Sequence, residues 1–167
     1  MERVAIIMRK TVLIPLLTTC FALAGCGQKA PEAPKTCEEV AAAVADGQAF
    51  EELTPQDRPE IVAYLGLSGE NLTDAALWMD ASAATVEMVA VLTAKDDAAL
   101  KALEEEVRVF WKDLTETYRD YAPDEVPKLE SAVLETRGMQ LAFVLCKDAA
   151  AAKSALDAVW KSNTNSN

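Results

Sequence analysis

The feature that most restricts this fold is an order of elements that occurs twice. Ala75 to Ala81 and Val86 to Ala94 are apolar, partly β-branched runs of strand length, joined by Ser82-Ala83-Ala84. Lys95-Asp96-Asp97 then opens a long segment in which Leu100, Leu103, Val107, Phe110, Trp111, Leu114, Tyr118 and Tyr121 recur at helical spacing. Lys101, Glu104, Glu105, Arg108, Lys112 and Glu116 fall on its other side, and Pro123 ends it. The plan then repeats. Ser131 to Thr136 and Met139 to Cys146 read as strands around Arg137-Gly138, where glycine supplies the positive φ of a tight hairpin. Lys147-Asp148 opens a helix from Ala149 to Trp160 with Ala152, Ala155, Leu156 and Val159 inward. The expected fold class is α+β: two ββα units forming a four-stranded antiparallel sheet, with the long helices on one face. In that arrangement Val86, Met88, Ala90 and Leu92 face one way, and Glu87, Val89, Val91 and Thr93 face the other.

Short helices come first. Thr36 and Glu39 make a capping-box pattern before Cys37 to Ala45, where Cys37, Val40, Ala41 and Val44 share a face. A second helix is expected from Pro55 to Leu65, with Thr54 as its cap and Gly66 as its stop. Residues 37–161 suffice for one domain with a real core and are too few for two.

Ahead of that domain, Arg3, Arg9 and Lys10 give a positive start, with Met1 or Met8 as the initiator. Thr11 to Leu23 is an apolar run of about 13 residues, whereas a membrane-spanning helix needs about 20. It closes on Leu23-Ala24-Gly25-Cys26, which resembles a bacterial lipobox. On that reading residues 1–25 are a lipoprotein signal peptide. Cys26 is the lipidation site, acylated on sulfur with a palmitate-type chain, and residues 26–36 form a tether. Residues 162–167 form a polar, disordered tail. The expected location is the extracytoplasmic face of the cell membrane, with lipid on Cys26 as the membrane contact. An ordinary secretory signal with a chance cysteine is the alternative.

Charge removes several partners. Loss of residues 1–25 takes away three cations and one acid and moves the net charge from −11 to −13. Such a surface repels phosphate backbones and anionic headgroups, so no nucleic acid is expected as a partner. The chain has no histidine, which removes the usual neutral-pH base and the commonest metal ligand. No phosphate loop or nucleophile motif occurs. No catalytic residue, cofactor or metal is therefore expected. Asp96-Asp97 and Glu104-Glu105-Glu106 read as solvated acidic faces. Cys37 and Cys146 either pair as a disulfide or serve as two small apolar residues. Glu87 stands alone as a charge within an apolar strand. It either grips a ligand on the sheet, with Lys128 or Arg137 as its ion partner, or meets water on an open face. Glu87, Val89 and Val91 are the candidate contact surface, unless the N-terminal helices or a dimer partner cover them.

Tyr121-Ala122-Pro123-Asp124-Glu125-Val126-Pro127-Lys128-Leu129, followed by Ala132-Val133 and the glycine hairpin at Gly138, resembles the domain-of-unknown-function 4358 family. The strand Ala84-Thr85-Val86-Glu87-Met88-Val89-Ala90-Val91 fits it as well, and the resemblance runs from about residue 37 to 160. It implies small lipoproteins of Gram-positive bacteria, in agreement with the lipobox, and implies no activity. Three function classes follow: a tethered, non-enzymatic binding or accessory module meeting an envelope protein or polymer, a carboxylate-based envelope hydrolase, or a structural or regulatory part of an envelope complex.

Overall fold

The computed structural model describes residues 35–47, 50, 53–80, 82 and 84–161. The signal segment, Cys26, most of the tether and the 162–167 tail lie outside the described residues.

The first helix, α1 (Cys37–Asp46), starts as its capping box requires. The Thr36 backbone N–H donates to Glu39 Oε2 at 2.8 Å, and the Glu39 N–H donates to Thr36 Oγ1 at 3.2 Å. The second helix is shorter than expected. Thr54 and Pro55 form a two-residue strand, β1, and α2 (Arg58–Leu65) begins behind Asp57. Pro55 has no N–H to give, which an edge strand tolerates. Gly66 ends α2 at φ 65°, the left-handed conformation that glycine adopts freely.

β2 (Leu72–Met79) and β3 (Met88–Ala94) form the first hairpin. Its loop is held by Asp80, whose carboxylate accepts from Ser82 N at 2.8 Å and from Thr85 N at 3.0 Å. α3 (Asp97–Tyr121) follows, with Asp96 accepting from Ala99 N at 2.8 Å as its N-cap. A short α4 (Val126–Glu130) leads to β4 (Val133–Arg137), a turn at Gly138-Met139, β5 (Gln140–Leu145) and α5 (Ala149–Lys161). Gly138 sits at φ 56°, as the hairpin demands.

The α+β class and the antiparallel sheet stand as the sequence reads. The sheet has five strands, in the order β1-β2-β3-β5-β4. The expectation that the helices share one face does not hold. α2, α3 and α4 cover one face, on a core of Ile61, Leu65, Leu77, Leu92, Leu103, Val107, Leu129 and Phe143. α1 and α5 cover the other, on Val40, Val44, Ala76, Val89, Val91, Val144, Leu156 and Trp160. The physical reason lies in the central strands. Buried residues alternate between both cores along β3 and β5, so each sheet face is apolar and needs a cover. α2, α3 and α4 already fill one side, so α5 takes the other beside α1. The repeated order is therefore not a repeat in space. An axis exchanging antiparallel neighbours runs normal to the sheet and would keep both helices on the same face.

The stripe of α3 packs as read through Leu103, Val107 and Tyr118, with Leu100, Phe110, Trp111 and Leu114 half-buried against the core. Tyr121 departs from it at 75% exposure, because the helix ends at that residue ahead of Pro123.

Candidate functional site

Charge is buried at one end of the sheet. Glu87, on the hairpin loop just before β3, is 3% exposed. Its Oε1 lies 3.1 Å from Lys128 Nζ of α4. The same ammonium donates to Glu125 Oε2 at 3.0 Å and to Thr85 Oγ1 at 3.0 Å. Glu125 Oε2 also accepts from the Thr85 hydroxyl at 2.7 Å and from Val86 N at 3.0 Å. Two carboxylates thus share one cation, and the loop before β3 is sewn to the turn before α4. The Ala84–Val91 strand and the Tyr121–Leu129 segment, distant in sequence, meet here.

Burial works against the charge on Lys128, yet its hydrogen bonds to Glu125 and Glu87 hold its pKa above the usual lysine value. Burial likewise works to raise Glu125, and the bonds from Thr85, Val86 and Lys128 more than offset it, so its pKa falls. Asp80 also titrates low, through the Ser82 hydroxyl first and then backbone donors in its loop. These groups are ionised and mutually satisfied at neutral pH. Their geometry fixes a loop and sets no carboxylate against open space.

The two thiols are free and buried. Cys37 Sγ lies 3.0 Å from Thr93 Oγ1, and burial pushes its pKa up to about 12. Cys146 follows Leu145, whose partner is Met88, and its pKa too is raised by burial. The thiols therefore mark opposite ends of β3, about 20 Å apart at strand rise. That exceeds any disulfide span, so they act as two small apolar residues.

Of the candidate contact residues, Glu87 has the partner the sequence offered in Lys128. Arg137 instead meets Asp157 at 3.3 Å and stacks 5.7 Å from the Trp160 ring centroid. Val89 and Val91 do not form a contact surface. Both are fully buried beneath α1 and α5, so that face is core. In the Glu104–Glu106 run, Glu104 pairs with Arg108, while Glu106 is not simply solvated. Its carboxylate accepts from Ser68 N at 3.0 Å and from the Ser68 hydroxyl at 2.5 Å.

The open apolar surface is elsewhere. A groove of about 460 Å³ runs between α2 and α3, lined by Tyr64, Val109, Phe110 and Leu114. Tyr64 is 41% and Val109 52% exposed, and the Tyr64 and Phe110 rings sit 5.4 Å apart. Glu105 and Asp113 stand on its rim. The readable signal was Val109, an apolar residue on the polar side of a strongly patterned helix. Among the described residues, no group of three or more metal-ligating side chains could hold an ion. No helix among them is long and apolar enough to cross a membrane.

Residues 47–146 match the model of a family described as a domain of unknown function, DUF4358. The match takes in the buried charge network and all five strands and leaves α1 and α5 outside. No curated protein and no solved structure matches the chain.

Proposed function

The chain belongs to the DUF4358 family, and on that premise we propose that it is a membrane-anchored extracytoplasmic lipoprotein acting as a non-enzymatic binding module. The anchor rests on Leu23-Ala24-Gly25-Cys26 at the end of the apolar run. The observation that carries the binding role is the α2–α3 groove, where Tyr64 and Val109 present apolar surface beside Phe110 and Leu114. Its acidic rim and the acidic chain around it select the occupant: an amphipathic segment whose apolar side fills the groove and whose lysines or arginines meet Glu105 and Asp113. The two buried carboxylates stand apart from both grooves. Glu87 and Glu125 are tied to Lys128 and to loop donors, and they line neither the α2–α3 groove nor the groove along α3 and α4.

The test is direct titration of the purified domain with two helical peptides of equal hydrophobicity, one leucine–lysine and one leucine–glutamate. The lysine peptide should bind, with methyl signals of Val109 and Leu114 shifting, and Val109→Asp should abolish it. Equal binding of both peptides, or binding that survives Val109→Asp, would refute the groove as the site. Turnover of a glycan, peptide or ester by the domain would overturn the non-enzymatic reading.

A further inference from the structure

The two edges of the sheet are not alike. On one side β1 is two residues long and carries Pro55, which denies a hydrogen-bond donor to any newcomer. On the other side β4 is a five-residue strand with no proline, no lysine and no irregularity in its register. Arg137 pairs with Gln140 across a two-residue turn. In such a hairpin that pair exchanges both its hydrogen bonds, and by alternation so do the Glu135 and Val133 pairs. The N–H and C=O groups of Leu134 and Thr136 therefore point away from β5. Among the described residues no backbone hydrogen bond reaches them from outside the sheet.

The side chains decide what can pair there. Glu135 and Arg137 lie on the α5 face, where Glu135 Oε1 is 3.4 Å from Lys153 Nζ and Arg137 is 3.3 Å from Asp157. All four side chains keep 42–58% of their surface exposed, so each can take a second partner. We propose that β4 is a self-association edge: it pairs antiparallel with β4 of a second copy, about a two-fold axis at Thr136. That register brings the outward groups of Thr136 onto their own copies. It also places Glu135 opposite the second copy's Arg137, twice. On the α5 face the charges then alternate in sign: Lys153, Glu135, Arg137 of the second copy, Asp157 of the second copy. The neighbouring register, centred on Glu135, would set that carboxylate against itself, so charge selects one alignment. The product is a continuous ten-stranded sheet with both α5 helices on one face. This inference does not depend on the groove between α2 and α3.

Sedimentation of purified residues 26–167 carrying Cys26→Ser, over micromolar to millimolar concentration, tests it. The wild-type chain should show a reversible monomer–dimer equilibrium. Glu135→Arg alone and Arg137→Glu alone should each weaken it by about tenfold or more, since each makes two like-charge pairs. An equimolar mixture of the two variants should restore the dimer, because only the mixed pair is complementary. Thr136→Pro removes an outward N–H and should abolish pairing with the urea midpoint of the monomer retained. A wild-type chain that stays monomeric throughout, or single variants that dimerise as wild type does, would overturn the proposal. So would a mixture no more associated than its parts.

Discussion

Replacing Lys128 by methionine should be among the most damaging changes in the molecule, although the residue lies on a five-residue helix. The substitution keeps the aliphatic length and removes the charge. It takes the Lys128 ammonium from Glu87, which is 3% exposed, and leaves Glu125 facing it across the vacated position. At 3.1 Å and an effective dielectric near 20, the Glu87–Lys128 attraction is about 5 kcal/mol before desolvation. Removing one member of such a pair typically costs about 3–5 kcal/mol, because the other charge stays buried. With a urea m-value of about 2 kcal/mol/M for a domain of this size, the midpoint should fall by roughly 1.5–2.5 M. Glu87→Leu combined with Lys128→Met should recover most of that loss and lie within about 1–2 kcal/mol of wild type, since the most deeply buried charge is gone and Glu125 keeps its donors from Thr85 and Val86. The pH profile carries a second signature. The Lys128 pKa is raised in the fold, so its contribution is whole below the unfolded lysine value of about 10.4 and is lost as pH climbs through the folded value. The Glu125 pKa is lowered, so its contribution is whole above the unfolded value of about 4.3 and is lost as pH falls through the folded one. Lys128→Met should remove the Lys128 share of the alkaline limb and leave the share of the buried thiols. A single variant within 1 kcal/mol of wild type, or a double variant as unstable as the sum of its parts, would refute a coupled buried network.

Trp111→Ala should cost about 3–5 kcal/mol, through lost packing on Phe143 and the lost bond from its indole N–H to Leu129 O at 2.9 Å; Trp111→Phe should cost about 1 kcal/mol, separating the two terms in urea melts. Neither Cys37 nor Cys146 should react with a thiol reagent at pH 8 in the native domain, and both should react in denaturant; a fast native phase would contradict their burial. Val89→Ser with Val91→Ser should unfold the domain, as circular dichroism would report, because both side chains are core. Cys26→Ser should abolish incorporation of a fatty-acid analogue; equal labelling of the variant would refute acylation at that residue.

Local chemistry was legible. Thr36 and Glu39 made their capping box, Asp96 capped α3, Gly66 and Gly138 took left-handed φ, and the spacing from Leu100 to Tyr118 packed as one stripe. Each of these signals is closed within a few residues, so the sequence states it directly. The start of α2 was misplaced because Thr54-Pro55 fits a helix start locally, and only pairing with Trp78 and Met79 makes it a strand. Glu87 was legible as an anomaly and Lys128 as one of two partners. The choice between Lys128 and Arg137 depended on where α4 meets the β2–β3 loop.

What the sequence determined by itself was the α+β class, the order of the longer helices and of the four longer strands, the two alternating faces of β3 and the absence of histidine chemistry. What tertiary structure decided was which face each helix covers. Periodicity shows that a helix has an apolar side and that a strand is apolar on both, but it does not say which side meets which. That choice is made by competition for buried area: α2, α3 and α4 occupy one face, and the remaining apolar face, with Val89, Val91 and Val144, is stable only once α1 and α5 close over it.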